Sequence, residues 1–110
     1  MVSEDDRKFL GEFQAYQQQL QAILLQKENI RLQSLEVEKA LEELEVSKEE
    51  KAYKIAGPIM IRKDVADLKK ELEEKKDDLN LRLRTLENAE QRIIKKLKDM
   101  QPRLERMIEK

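Results

Sequence analysis

Two stretches with a seven-residue apolar repeat, roughly residues 4–50 and 65–110, flank a short run of β-forming residues with a Gly-Pro turn at residues 53–62. A seven-residue repeat is typical of helices that pair as a coiled coil. If the short run reverses the chain, the helices must pair antiparallel, with both chain termini at the same end. The pattern therefore predicts a mainly α fold: a single domain over residues 1–110, formed by a long antiparallel two-helix coiled coil with one β-hairpin between the helices.

The composition excludes most enzyme and metal-binding classes. Charged residues make up 43% of the chain and aromatic residues 4%, which is the profile of long helices rather than of a globular domain. The chain has no cysteine and no histidine, so it lacks thiols, the usual zinc ligands and an imidazole base. We therefore expect no enzyme activity, no cofactor and no metal site.

The charge pattern argues against two further classes of partner. The formal net charge is −1, and no aromatic residues are interleaved with the basic runs, so a nucleic-acid-binding surface is not expected. An RNA-binding helical arm in particular would need a basic stripe. The N-terminus is acidic, and no apolar stretch approaches the roughly 18 residues of a membrane span. We expect a soluble, cytoplasmic protein.

The first helix is predicted from about residue 4 to about residue 50. Ser3 is a good N-cap, and the three acidic residues that follow it suit the positive end of a helix dipole. The heptad positions that face the partner helix, here called the seam, follow a spacing of four and three residues. They are Phe9, Phe13, Tyr16, Leu20, Ile23, Lys27, Ile30, Ser34, Val37, Leu41, Leu44 and Lys48.

The second helix is predicted from about residue 64 to residue 110. Its seam consists of Val65, Lys69, Leu72, Lys76, Leu79, Leu83, Leu86, Glu90, Ile93, Leu97, Met100, Leu104 and Met107. Pro102 lies off this seam. Because a proline inside a helix removes one backbone hydrogen bond, we expect a kink or a local loosening near the end of the helix.

One register pairs apolar seam residues at both ends and centres the reversal beside Gly57 and Pro58. It pairs Phe9 with Leu104, Phe13 with Met100, Tyr16 with Leu97, Leu20 with Ile93 and Leu41 with Leu72. The competing register is shifted by one heptad. In the favoured register four charged seam residues face apolar partners, and we expect their long side chains to extend outward to water. These four are Lys27, Lys69, Lys76 and Glu90.

Residues 53–62 predict a β-hairpin, because β-forming residues surround a glycine that suits the first position of a tight turn. With Gly57 and Pro58 as the loop, one face carries Tyr53, Ile55, Met60 and Arg62, and the other carries Lys54, Ala56, Ile59 and Ile61. Two short strands are marginal alone, and their edges invite further strands. We therefore expect a subunit interface formed by Tyr53, Ile55, Ile59, Met60 and Ile61. The alternative is a simple connector between helices with buried isoleucines, although such a turn needs only a few residues.

Apolar residues are also concentrated near both chain ends, and they are candidates for a promiscuous binding surface. They are Phe9, Leu10, Phe13, Met100, Leu104, Met107 and Ile108. Flexible surfaces rich in methionine suit promiscuous binding. The alternative is that these residues only close the last heptads, which applies above all to the seam pair of Phe13 and Met100. Leu10 and Ile108 lie off the seam and favour a binding role.

The segment Tyr-Lys-Ile-Ala-Gly-Pro-Ile-Met-Ile-Arg-Lys-Asp at residues 53–64, placed between two heptad helices, resembles the β subunits of archaeal-type prefoldin. The resemblance covers the whole chain, and its single hairpin is that of the β class, because α subunits insert a second hairpin. It implies a hexamer of two α and four β subunits, in which the hairpins form a double β-barrel platform that carries six coiled coils.

The same resemblance implies a function. It implies ATP-independent capture of non-native proteins by the ends of the coiled coils and their delivery to a cytosolic group II chaperonin. The alternative is a structural or scaffold coiled coil that binds no client. A scaffold would explain the helices, but it gives no reason for the hairpin or for the apolar chain ends.

Overall fold

The computed structural model describes residues Ser3–Glu109. It consists of α1 (Glu4–Val46), β1 (Lys51–Ala56), β2 (Ile59–Asp64) and α2 (Val65–Ile108). Two long helices with an antiparallel hairpin between them confirm the predicted fold class. The chain groups into two compact units: the terminal unit, which extends up to Glu28 and resumes at Arg84, and the hairpin unit, Asn29–Leu83. The single domain over residues 1–110 stays a prediction.

Side-chain hydrogen bonds mark both ends of α1. The Asp6 backbone N–H donates to Ser3 Oγ at 3.1 Å, so the predicted N-cap is confirmed. At the other end the helix stops at Val46, before the predicted end near residue 50. There the Glu49 N–H donates to Ser47 Oγ at 3.2 Å, and a local bond of this kind favours a turn over further helix.

The hairpin is longer than residues 53–62 and extends from Lys51 to Asp64. Because α1 ends at Val46, Lys51 and Ala52 can belong to β1. The Lys51 ammonium binds the Asp64 carboxylate across the base of the hairpin. Gly57 has a φ of 59°, in the left-handed region that glycine adopts without strain, and Pro58 follows it in the loop. The predicted two-residue turn is therefore confirmed.

The strand pairing also confirms the two predicted faces. Residues directly opposite each other in an antiparallel pair lie on the same face of the sheet. The pairs are Tyr53 with Arg62 and Ile55 with Met60 on one face, and Lys54 with Ile61 and Ala56 with Ile59 on the other.

The second helix starts directly from the sheet. The Val65 N–H donates to the Glu50 carbonyl at 2.9 Å, which joins the end of β2 to the residue before β1. The helix continues through Pro102 to Ile108, so the loosening expected at the proline does not end it. Its predicted last residue, Lys110, lies outside the described residues.

The predicted seam forms the core. The buried seam residues are Phe9, Ile23, Lys27, Ile30, Val37, Val65 and Leu79. The remaining seam positions are half-buried, except for Lys48, which follows α1 and is exposed. Leu68 is buried although it lies off the seam, because it lines a groove together with Ala52 and Tyr53 of the hairpin.

Ion pairs of the hairpin unit match the predicted register. Lys69 Nζ lies 3.6 Å from Glu45 Oε1, and Lys76 Nζ lies 3.9 Å from Glu38 Oε1. Glu45 follows Leu44 and Glu38 follows Val37, and the register places these two seam residues opposite Lys69 and Lys76. Both lysines extend sideways to a glutamate at the edge of the helix pair, so their predicted outward direction is confirmed.

The prediction is wrong for Lys27 and Glu90, which do not extend to water. Lys27 Nζ lies 3.0 Å from Glu90 Oε2 and 3.3 Å from Oε1, and the two side chains are only 10% and 13% exposed. In the predicted register Lys27 and Glu90 lie in adjacent layers of the seam, each opposite an apolar residue. Their opposite charges therefore pair with each other across the two layers. Such a pair adds little net stability, because desolvation offsets the attraction, but it penalises any arrangement that separates the charges.

We expect Lys27→Met to destabilise the protein by about 3 kcal/mol, because it leaves the Glu90 carboxylate in the seam without its partner. The double change Lys27→Met with Glu90→Leu should recover most of this loss, since the seam is then apolar. Urea unfolding followed by circular dichroism measures both effects.

Asp78→Asn is the matched control, because it breaks an exposed pair with Arg82 on α2 and should cost less than about 1 kcal/mol. A Lys27→Met protein as stable as the parent chain would contradict the assignment. A double variant that loses the sum of both single effects would contradict it too.

Candidate functional site

The hairpin presents an apolar surface. Its large apolar side chains are between 41% and 73% exposed, and they are Tyr53, Ile55, Ile59, Met60 and Ile61. The sheet has only two strands among the described residues, so each strand keeps one edge without a strand partner there. The alternative of a connector with buried isoleucines is therefore wrong within this chain. The predicted interface residues lie together on the surface of one small sheet.

One carboxylate on α2 holds both strands of the hairpin. Glu71 Oε2 accepts a hydrogen bond from Lys54 Nζ at 3.3 Å, and Glu71 Oε1 accepts one from Lys63 Nζ. Lys54 and Lys63 belong to the face that carries Ile61, so this face is turned toward α2. The opposite face, which includes Ile55, is turned away from that helix.

The electrostatics of Glu71 follow from this arrangement. Hydrogen bonds from Lys63 first and Lys54 second lower the pKa of its carboxyl below the ordinary value of 4.5. A lowered folded-state pKa means that the contact stabilises the fold above pH 4.5 and is lost as the pH falls through the lowered value. At neutral pH the Glu71 carboxyl is therefore ionised and can accept both hydrogen bonds.

A groove of about 460 Å³ lies between the hairpin and the helices of the hairpin unit. Its apolar lining comes from Ala40, Leu44, Ala52, Tyr53, Leu68 and Leu72. The heptad pattern does not reveal it, because the two alanines and Leu68 lie off the seam. Its sequence signal is the spacing of Val65, Leu68 and Leu72, which adds a second apolar stripe to the first turns of α2.

All seven residues predicted to bind non-native proteins lie in the terminal unit, but they differ in accessibility. Phe9 is only 8% exposed, whereas Ile108 is 74% exposed. The others are half-buried: Leu10, Phe13, Met100, Leu104 and Met107. The structure therefore brings the seven residues into one unit and makes Phe9 part of its core.

An arginine that the sequence analysis missed covers Phe9. The Arg103 guanidinium carbon lies 4.5 Å from the centroid of the Phe9 ring, and Arg103 Nη2 donates to Asp6 Oδ1 at 3.3 Å. This hydrogen bond is the main cause that lowers the pKa of Asp6. Arg103 lies off the seam, so the heptad pattern gives it no role. The available signal is its position beside Leu104, the predicted partner of Phe9.

Among the described residues there is neither a cluster of potential metal ligands nor a helix suited to span a membrane. Within Ser3–Glu109 no group of three or more acidic side chains is arranged to hold a metal ion. In the same range no helix combines the length and the apolar character that crossing a bilayer requires. The chemistry that the two surfaces present is apolar contact, bordered by ion pairs.

Comparisons with known proteins give consistent matches. The chain matches the prefoldin subunit family over residues 7–110. It is 38% identical over 97 residues to the prefoldin subunit beta of Thermococcus onnurineus, which covers 87% of this chain and 84% of the relative. It is 41% identical over 96 residues to that of Methanothrix thermoacetophila, which covers 86% of this chain and 80% of the relative.

A solved structure extends the match to three dimensions. The crystal structure of the prefoldin beta subunit from Thermococcus strain KS-1 matches with a TM-score of 0.83 and 30% sequence identity, over 97% of this chain and 95% of that chain. The similarity therefore includes the hairpin together with both helices. A shared coiled-coil pattern alone would not extend over the hairpin.

Proposed function

Because this chain belongs to the β class of the prefoldin subunit family, a family of non-enzymatic chaperone subunits, we propose that it captures non-native proteins without ATP and passes them to a group II chaperonin in the cytoplasm. A prefoldin subunit assembles with other prefoldin subunits, and the proposed assembly is a hexamer of two α and four β subunits. The observation that carries the proposal is that apolar side chains are accessible both on the hairpin and near the chain ends in the terminal unit.

The exposed side chains of the hairpin support its role in assembly. Two short strands are marginally stable in water, and free strand edges pair readily with other strands. Ile55 and Met60 on one face are 73% and 64% exposed, and Ile59 and Ile61 on the face held toward α2 by Glu71 are still 59% and 41% exposed. Pairing with hairpins of other subunits would remove these side chains from water. The hairpin is thus the assembly element in this proposal.

The accessible apolar side chains near the two chain ends support a role of this part of the terminal unit in capture. Ile108 is exposed, and Leu10, Phe13, Met100 and Met107 are half-buried, so each can contribute part of its surface to a client. A partly buried side chain of this kind adds about 1 kcal/mol or less to binding. Useful affinity therefore requires several subunits that act on one client together. Flexible methionines allow the same surface to accept different clients.

Changing Ile59 and Ile61 to lysine should abolish assembly with α subunits, because two charges then occupy the surface that the neighbouring strands cover. Light scattering measures the mass of the complex, and circular dichroism checks that the helices persist. The matched control changes Leu24 and Leu25 to lysine, since both are exposed on α1 outside the hairpin and this variant should assemble normally. An intact complex of the isoleucine variant with unchanged helicity would contradict the assembly role.

Removing the residues before about Phe13 and after about Met100 should leave assembly intact and abolish protection of a client. The measurement is the aggregation of thermally unfolding citrate synthase, mixed with the complex in the absence of nucleotide. Leu10→Ser or Ile108→Ser should weaken protection only modestly, because each contact is weak. Leu25→Ser, an exposed control on α1, should leave protection unchanged.

Salt separates apolar from electrostatic capture in the same assay. At about 1 M salt the Debye length falls to about 3 Å, and an apolar-bound client should stay bound. Release of the client by salt, together with protection by the truncated protein, would show that capture is electrostatic and lies along the helices. A correctly assembled full-length complex that never protects citrate synthase would instead favour the scaffold alternative.

A further inference from the structure

In the terminal unit, Arg103 lies over the Phe9 ring and is anchored by Asp6. Phe9 is 8% exposed, whereas the Arg103 and Asp6 side chains are 43% and 34% exposed. The guanidinium therefore lies at the boundary between the ring and water, with its centre 4.5 Å from the ring centroid. Part of the burial of Phe9 depends on a side chain that is itself half in solvent.

Both anchors of this contact lie close to helix ends. The N-cap bond from the Asp6 N–H to Ser3 Oγ sets the first turn of α1 and with it the position of the Asp6 carboxylate. Arg103 follows Pro102, which has no N–H to donate to the Lys98 carbonyl four residues earlier, so this turn of α2 has one backbone hydrogen bond fewer. Local opening requires least free energy at such positions.

An exposed ion pair of this kind adds little to stability, but its loss would uncover the ring. A guanidinium released from the ring returns to water, where it is well solvated. An apolar client segment can then cover the ring in its place. The exchange replaces one cover of Phe9 by another, so it requires no large rearrangement of the helices.

We propose that Asp6 and Arg103 are positioning residues for client capture: they form a latch that keeps the Phe9 ring covered until an apolar segment of a non-native protein displaces Arg103. The inference rests on the proposed function of the terminal unit. Ile108 is accessible at all times and makes the first contact, and Phe9 joins only when the latch opens. The latch thereby limits the apolar surface that the unloaded protein exposes.

The absence of tryptophan from the chain provides a direct reporter of the latch. Phe9→Trp places a single indole under Arg103 in the full-length chain. Adding Asp6→Asn should shift its emission to the red and raise acrylamide quenching, because Arg103 loses its anchor. Asp5→Asn is the matched control: it removes the same charge from the same turn of α1 and should change neither signal.

Client capture is measured in parallel on the complex with α subunits, with Phe9 restored and unfolding citrate synthase as the probe. Asp6→Asn should lower the complex concentration that gives half protection by about two- to fivefold, the shift expected from loss of an exposed ion pair. Arg103→Gln should act in the same way. The double variant should add nothing further, since residues that act as a unit are not additive.

Several results would overturn the latch. If adding either Asp6→Asn or Arg103→Gln to the Phe9→Trp protein leaves the quenching of the indole unchanged, the ring is not covered by Arg103. Increased quenching with unchanged capture, or additive effects in the double variant, would show that the contact is only structural. A parent complex that fails to protect citrate synthase would refute the proposed function instead, and the quenching data would still decide whether the cover exists.

Discussion

The antiparallel pairing of α1 with α2 is the constraint on which the other features of this chain depend. Gly57 turns the chain within a two-residue loop, and six residue pairs of the hairpin then lead to the hydrogen bond between Val65 N–H and the Glu50 carbonyl. This bond sets the point at which α2 starts relative to the end of α1. The seam register follows from it, and the neighbours of Leu44 and Val37 meet Lys69 and Lys76.

Four ion pairs, at three places in the structure, contact apolar parts of the fold, unlike the many charges of the chain that only face water. The Lys27–Glu90 pair lies within the seam and penalises a shifted register. Glu71 joins both strands of the hairpin to α2. Asp6 anchors Arg103 over Phe9. Each pair adds little stability by itself. Its effect is to fix the position of an apolar part of the fold: the seam, the hairpin or the Phe9 ring.

Sequence reasoning predicts the helices, the hairpin, its turn and the seam, because heptad spacing and turn chemistry are local signals. It misses features that depend on the reach of long side chains. Lys27 and Glu90 each mismatch their own layer, and only their combination across adjacent layers explains them. Arg103 and Leu68 lie off the seam. Arg103 covers the Phe9 ring and Leu68 is buried beside the hairpin, so both roles depend on contacts between elements that are distant in the sequence. Just after the end of α1, the Glu49 N–H bonds to Ser47 Oγ, a local contact that heptad spacing does not reveal.

The predicted subunit and client surfaces are less determined by the sequence than the fold is. A buried seam is specified by its partner helix within the same chain. The exposed residues of the hairpin and of the terminal unit are specified by molecules outside it. Tyr53 and Ile108 are therefore identified by exposed apolar area and position, and their partners follow from the family and from experiment.

The central claim is that the hairpin contacts other subunits whereas the chain ends contact non-native proteins. Site-specific photocrosslinking tests this claim most directly. A photoreactive phenylalanine analogue is placed at Ile55, Leu25 or Ile108, three strongly exposed positions on the hairpin, on α1 and at the end of α2. The complex with α subunits is then irradiated in the presence of unfolding citrate synthase. We predict adducts with other subunits from position 55, adducts with citrate synthase from position 108, and neither from position 25. Citrate synthase adducts from position 55 or 25, with none from position 108, would contradict the account.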